Sequence, residues 1–253
     1  MTVHTQHAAG TPCWLDLMTP DLAAVGPFYR ALFGWTYEES GPEFGGYQTA
    51  HLGGAPVGGL CPVPGDTIPA SWNVYFASDD VREGADCIRR LGGQVSMGPI
   101  QVADHGHTLI GTDPSGVVFS LWQADRYAGM GITGVPGAFT WAELHTRDAD
   151  RARDFYTALL GGTSQPLPEM EYHLLSHGGA ETAGIMQMDD LHWPPDLPSY
   201  WMVYFGVENT DRAVETAQAN GGRLVAGPHD SPYGRLAVLQ DPAGATFSVI
   251  QIA

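Results

Sequence analysis

The fold is decided by residues 11–21, TPCWLDLMTPD, because the chain repeats this stretch as residues 138–148, AFTWAELHTRD. The offset between the two copies is 138 − 11 = 127 residues. Later segments repeat at almost the same distance, including the sequence DPSG at 113–116, which returns as DPAG at 241–244. Solenoid repeats usually have periods of about 20 to 50 residues. A period this long therefore indicates that a whole domain has been duplicated.

Each copy begins with the pattern of a strand followed by a helix. Strand residues alternate between two faces, so we expect Leu15 and Leu17 to lie in the core. The opposite face of the same strand then carries Trp14, Asp16 and Met18. Asp21 is a good N-cap and Gly34 a good C-terminal stop, and together they predict the limits of the first helix.

The remainder of each half predicts further strands and one more helix, which in the first half covers about residues 79–91 and ends at a Gly-Gly turn. Each half thus reads as strand, helix and three strands, used twice. We expect a first domain at 10–125, a linker at 126–136 and a second domain at 137–253.

These motifs resemble the vicinal oxygen chelate superfamily, which includes glyoxalases, bleomycin resistance proteins and dioxygenases. The resemblance is carried by FYRALFG at 28–34, by FYTALLG at 155–161 and by the two DPxG turns. It implies an α+β fold of two tandem domains, each a pair of βαβββ modules that form a cupped, mainly antiparallel sheet. More narrowly, the chain resembles actinobacterial two-domain proteins, namely the 27 kDa antigen type and accessory proteins encoded with aromatic polyketide antibiotics.

Metal-using members of that superfamily hold a divalent ion on His or Gln and Glu side chains, at about 2.0 to 2.3 Å. The resemblance locates the equivalent positions by counting from the helix-starting Asp and from the DPxG turn. They are Trp14, Asn73, Ser120 and the vicinity of Gly59 and Leu60 in the first half, and Trp141, Met202, Ser248 and the vicinity of Gly184 and Ile185 in the second. An indole N–H is only a donor, and a neutral hydroxyl is a weak ligand. We therefore expect no catalytic divalent ion and no cofactor.

Composition limits the partners and the chemistry. The formal net charge of −17 makes nucleic acid and anionic membranes poor partners. All 11 basic residues are arginine, so no lysine is present to form a Schiff base. No stretch approaches the roughly 18 apolar residues of a membrane span, and the first ten residues contain no signal segment. The three cysteines suit a reducing compartment, so we expect a cytoplasmic protein.

Aromatic and polar side chains take the place of the metal ligands. The predicted ligand-binding residues are Trp14, Asp16, Asn73, Tyr75, Ser120 and Trp122 in the first half, and Trp141, Glu143, His145, Met202, Tyr204 and Ser248 in the second. Aromatic rings with a few polar groups suit a flat organic ligand. A carboxylate beside an indole is costly to bury unless water, a hydrogen bond or a cationic ligand meets it.

The leading hypothesis is therefore a binding protein, monomeric or homodimeric, for an aromatic secondary metabolite with or without an amine. It would serve antibiotic resistance or act beside a biosynthetic tailoring enzyme. The alternative is a metal-independent isomerase, cyclase or hydroxylase that uses Asp16 or Glu143 as general base. Neither is a conventional metal-dependent glyoxalase or dioxygenase. A third hypothesis is a structural or signalling protein whose cups are filled.

Overall fold

The structure is a computed structural model that describes residues 1–41, 44–65, 68–167 and 170–252. A short strand, β1 (Thr2–Val3), comes first. The first half continues with β2 (Pro12–Thr19), α1 (Leu22–Phe33), β3 (Thr36–Glu39), β4 (Gln48–Leu52), β5 (Ala55–Pro62), β6 (Ser71–Ala77), α2 (Val81–Arg90), β7 (Gln94–Val102), β8 (Gly106–Thr112) and β9 (Val118–Ala124). Strand β10 (Ile132–Thr133) lies in the predicted linker and pairs with β1.

The second half repeats the same order of elements. They are β11 (Phe139–Thr146), α3 (Ala149–Leu160), β12 (Thr163–Leu167), β13 (Tyr172–His177), β14 (Ala180–Gln187), β15 (Tyr200–Val207), α4 (Thr210–Ala219), β16 (Arg223–Ser231), β17 (Gly234–Gln240) and β18 (Thr246–Gln251). Each half is therefore strand, helix and three strands, twice over, as the sequence predicts.

Each half forms one eight-stranded mixed sheet. The first has the order β3-β4-β5-β2-β6-β9-β8-β7, and the second has the equivalent order β12-β13-β14-β11-β15-β18-β17-β16. Two pairs in the first sheet, β2 with β5 and β6 with β9, are parallel, and the others are antiparallel. The prediction of two tandem domains with mainly antiparallel, cupped sheets is confirmed.

The first helix has the limits that its capping residues predict. Asp21 accepts a hydrogen bond from the backbone N–H of Ala24 at 2.9 Å. Gly34 has φ +75°, a conformation that glycine adopts without strain, and its N–H bonds to the carbonyl of Arg30. Asp148 and Gly161 play the same two roles for α3. The sharp start of each helix fixes where the preceding strand ends, and so fixes the register of that strand.

The two domains share a single hydrophobic core. Buried residues from both halves belong to one cluster, in which β6 packs against β15. Leu15 and Leu17 are fully buried on the core side of β2, as predicted. Because both core faces meet at the centre of the molecule, the opposite faces of the two sheets point outward and away from each other. The candidate residues therefore form two separate sites.

Reciprocal hydrogen bonds join the domains across that core. The Tyr29 hydroxyl on α1 donates to Asp241 Oδ2 in the DPxG turn of the other half at 3.0 Å. Tyr29 also accepts the indole N–H of Trp72 at 3.1 Å. The equivalent set in the other direction is Tyr156, Asp113 and Trp201. Each domain thus holds the last-strand turn of its neighbour.

Within the described residues, no helix combines the length and the apolar character needed to cross a bilayer.

Candidate functional site

The outer face of each sheet brings the predicted site residues together, and we call these faces the first cup and the second cup. The first cup contains Trp14, Asp16, Asn73, Tyr75, Ser120 and Trp122, and the second contains Trp141, Glu143, His145, Met202, Tyr204 and Ser248. Strand register sets this arrangement. Asp16 on β2 lies between Asn73 on β6 and Gly59 on β5. Trp14 and Ser120 flank Tyr75 in the next row.

Hydrogen bonds link the side chains of the first cup. The Tyr75 hydroxyl donates to Asp16 Oδ2 at 2.7 Å. The Asn73 amide donates to Ser120 Oγ at 2.9 Å. The Trp14 indole donates to the hydroxyl of a residue that was not predicted, Tyr47, at 2.7 Å. Trp122 instead donates to the backbone carbonyl of Tyr127, at the edge of the cup.

Asp16 is the unusual group of the first cup. The residue is only 4% exposed, and burial raises its pKa from the ordinary 3.8 to about 6, against the opposing effects of Tyr75 and Asn73. Among the described residues, its Oδ1 atom has no hydrogen-bond partner. Position 18, two residues along the same strand face, is Met18, which supplies no charge. Asp16 is therefore a buried acid without a neighbouring cation in the described structure.

The second cup satisfies its acid internally. Glu143 Oε1 is bonded by His145 Nε2 at 2.7 Å and by the Tyr204 hydroxyl at 3.0 Å. Burial opposes ionisation of Glu143, but hydrogen bonds from His145, Tyr172 and Tyr204 and the charge of His145 outweigh it, so its pKa lies below the ordinary value. The other imidazole nitrogen of His145 lies 3.2 Å from the Tyr200 hydroxyl. The second cup thus places His145 beside its acid, where the first cup has Met18.

Two tyrosines at the centre of the cups, Tyr47 and Tyr172, were missed by the sequence prediction. A Cβ atom placed on Gly59 would collide with the Tyr47 hydroxyl, and one placed on Gly184 would collide with that of Tyr172. Each ring therefore occupies the space that a side chain at the glycine would need. The signal was present in the repeat, because the two tyrosines align at an offset of 172 − 47 = 125 residues.

The residues at the expected metal positions do not fit a divalent ion. Trp14 and Trp141 use their only polar hydrogen on a tyrosine hydroxyl. Ser120 accepts from Asn73, and in the second cup Met202 lies beside Glu143. In the described ranges, no group of three or more His, Cys, Asp or Glu side chains is arranged to hold a metal ion. Hydrogen bonds between tyrosine, tryptophan and carboxylate occupy the place where the superfamily's ligands converge.

Two clefts lie away from the cups. One, of about 550 Å³, forms where α2 meets the C-terminal end of α3, and Asp79, Asp80 and Glu83 are among its lining residues. The other, of about 380 Å³, forms where α4 meets the C-terminal end of α1. Neither is lined by a predicted site residue. The clefts therefore lie away from the buried carboxylates Asp16 and Glu143. These carboxylates favour the cups as the functional sites.

The architecture matches known protein families in both halves. Residues 6–121 match the family model described as the glyoxalase/bleomycin resistance protein/dioxygenase superfamily, and residues 141–250 match the glyoxalase-like domain. The putative glyoxylase CFP32 of Mycobacterium tuberculosis is 38% identical over 262 residues, which cover 100% of this chain and 99% of that protein. The chain belongs to the glyoxalase/bleomycin resistance protein/dioxygenase superfamily. This confirms the resemblance drawn from the sequence.

Another full-length relative of this superfamily member carries a name from antibiotic biosynthesis. The anthracycline biosynthesis protein DnrV of Streptomyces peucetius is 36% identical over 272 residues, covering 98% of this chain and 95% of that protein. Among solved structures, the Mn(II)-bound glyoxalase from Novosphingobium aromaticivorans aligns with a TM-score of 0.69 and 16% identity, over 96% of this chain and 82% of that one. The 2,3-dioxygenase LapB from Pseudomonas sp. KL28 aligns with a TM-score of 0.68 and 15% identity, over 98% of this chain and 94% of that one. At these identities the structural matches support the fold alone.

Proposed function

We propose that this protein binds a planar aromatic secondary metabolite in a cup, without a metal ion. The observation that carries the proposal is Asp16, a buried carboxylate among aromatic rings with neither a cation nor a complete set of hydrogen bonds in the described structure. A buried charged group of this kind is costly unless a ligand or water meets it. A binding site can contain such an unfavourable group because the bound ligand supplies its missing partner.

The first cup also offers a surface suited to a flat ring system. Cross-strand pairing places Trp14, Tyr75, Ser120, Ile110 and Met97 in one row across the sheet. The row is buried at Trp14 and Ser120, which are 7% and 0% exposed, and opens at Met97, which is 45% exposed. Aromatic and aliphatic side chains that are open at one end supply apolar contact area and stacking. A ligand would lie along this row with its polar edge toward Asp16.

The relatives support an aromatic polyketide as the ligand class. DnrV and DauV are named as anthracycline biosynthesis proteins and match this chain over almost its whole length. Anthracyclines combine a planar ring system with hydroxyl groups, and some also carry an amino sugar. In such a pathway the protein would sequester the compound for resistance, or present it to a tailoring enzyme that acts as a protein partner.

Calorimetric titration of chelator-treated protein tests this proposal. The ligands are an anthracycline glycoside with an amino sugar and the matching aglycone. Saturable binding without added metal is expected for at least one of them, and the ratio of the two affinities measures what the amine contributes. No heat of binding from either ligand, or binding that appears only after a divalent ion is added, would contradict the proposal.

A metal-independent enzyme is the second candidate, and the pKa of Asp16 favours it. A pKa raised to about 6 keeps Asp16 largely ionised at neutral pH while making it a stronger base than an ordinary aspartate. Glu143 suits this role less, because its pKa is lowered. If Asp16 is a general base, Asp16→Asn abolishes turnover of an added aromatic substrate while binding persists. Full turnover by that variant would exclude this role.

A further inference from the structure

The central carboxylates of the two cups differ by one methylene group. Each cup pairs its carboxylate with a glycine on the neighbouring strand and places a tyrosine hydroxyl over that glycine: Asp16, Gly59 and Tyr47 in the first cup, and Glu143, Gly184 and Tyr172 in the second. Neighbouring strands lie about 4.8 Å apart, so the length of the acid decides whether it meets the hydroxyl.

The longer acid closes the second cup. Glu143 Oε1 lies 2.7 Å from His145 Nε2 and accepts the Tyr204 hydroxyl at 3.0 Å, and Tyr172 nearby helps to lower its pKa. Tyr172 itself also accepts the indole N–H of Trp141 at 3.0 Å. Two side chains of the cup itself therefore contact the carboxylate, and among the described residues neither Glu143 oxygen is a buried atom without a partner.

The shorter acid leaves the first cup open. Tyr47 makes no hydrogen bond to Asp16, although the negative charge of Asp16 helps to raise the pKa of Tyr47. The Tyr47 oxygen accepts the N–H of Trp14, and within the described residues its own hydrogen has no acceptor. Asp16 Oδ1 has no donor in the same part of the chain. The first cup therefore contains a buried carboxylate oxygen without a donor and, on the same face, a tyrosine hydrogen without an acceptor.

The neighbouring amide does not close this gap. Asn73 donates to Ser120 and helps to hold down the pKa of Asp16, but it makes no hydrogen bond of good geometry to Oδ1. The Asn73 Oδ1 atom is itself without a partner among the described residues. A carboxylate oxygen has two lone pairs, and an amide donor would use only one of them.

We infer that the first cup binds a hydroxyl group of the aromatic ligand, which donates to Asp16 Oδ1 and accepts from Tyr47, and that Glu143 in the second cup offers no equivalent atom. The inference rests on the proposed function. A hydroxyl both donates and accepts, as the gap requires. An ammonium group has only donors, so it would leave the Tyr47 hydrogen without a partner. The recognised substituent is therefore an alcohol or phenol, and not an amine.

Three probes that share one ring system test this inference by calorimetry at pH 7. They are 2-(hydroxymethyl)anthraquinone, 2-methylanthraquinone, which lacks only the oxygen, and 2-(aminomethyl)anthraquinone, which carries a cation. A hydrogen bond to a charged group predicts that the hydroxymethyl probe binds roughly 10 to 100 times more tightly than the methyl probe. Asp16→Asn and Tyr47→Phe should each remove most of this preference, and Tyr172→Phe, the matched change in the second cup, should retain it.

The outcomes separate the inference from the proposed function. If no probe binds, both fail. If the hydroxymethyl and methyl probes bind equally, ring binding stands and the hydroxyl inference is overturned, because water then fills the gap. Tighter binding of the aminomethyl probe also overturns it. If Glu143→Gln loses binding while Asp16→Asn retains it, the site lies in the second cup, and the assignment to the first cup is overturned.

Discussion

Replacing Asp16 by Asn should stabilise the protein at neutral pH and leave it little changed in acid. Asparagine has the same shape as aspartate and keeps an oxygen that accepts the Tyr75 hydroxyl. The substitution removes the charge that burial penalises. Asp16 is almost fully buried, so solvent screens this charge little.

The sign and size of the effect follow from the pKa. The pKa of Asp16 is about 6 in the folded protein and 3.8 as its ordinary value, a difference of about two units. Between these values the folded state binds more protons than the unfolded state, so the free energy of unfolding falls as pH rises. At 1.36 kcal/mol per unit the full effect is about 3 kcal/mol, of which the wild-type protein loses about 2 kcal/mol between pH 4 and pH 7, because the unfolded carboxyl is already partly ionised at pH 4. Asp16→Asn loses none of it.

Urea unfolding of the wild type and Asp16→Asn at intervals from pH 4 to pH 7 measures the difference. We expect the advantage of the variant to grow by about 2 kcal/mol across this range. Glu143→Gln is the matched control with the opposite sign. The lowered pKa of Glu143 means that its ionised form stabilises the folded state, so this variant should fall further behind the wild type as pH rises through the ordinary pKa of Glu. A pH-independent difference for Asp16→Asn would refute the reasoning.

Three further changes test the core, the cup and the metal. Tyr29→Phe removes a buried donor to Asp241 and should lower the free energy of unfolding by about 2 kcal/mol. Tyr233 is exposed, so Tyr233→Phe is the control that should leave stability unchanged. Equal stability of the two variants would contradict the interdomain role of Tyr29. Gly59→Ala must displace Tyr47 and should lower the free energy of unfolding by about 1 to 3 kcal/mol. In a protein that already carries Tyr47→Ala, the same change should cause no such loss. Strictly additive losses in the double variant would argue against the contact. Dialysis against a chelator should leave the melting temperature unchanged, and a drop that a divalent ion reverses would show a metal site.

The sequence predicted the fold because the repeat supplied each signal twice. Capping residues such as Asp21 set where α1 begins, and the alternation around Leu15 set which face of β2 is buried. Together these fix the register that brings Asp16 beside Asn73. Local patterns of this kind act within one or two elements, so they can be read without knowing the tertiary structure.

The centre of each cup could not be predicted in the same way. The sequence indicated that Gly59 has no ligand side chain, but the ring that fills the space comes from Tyr47, the residue before β4. The difference between the cups depends on whether a carboxylate reaches a hydroxyl, which needs side-chain geometry. His145 was predicted as a lining residue, and its bond to Glu143 appears only in the folded structure.

A crystal structure of the protein with 2-(hydroxymethyl)anthraquinone bound is the most direct test of the account. We expect the ring along the row from Trp14 to Met97 and its hydroxyl within hydrogen-bonding distance of both Asp16 Oδ1 and the Tyr47 hydroxyl, with no ion between them. Density for a coordinated cation in either cup, or a ligand held in one of the two interdomain clefts, would contradict it.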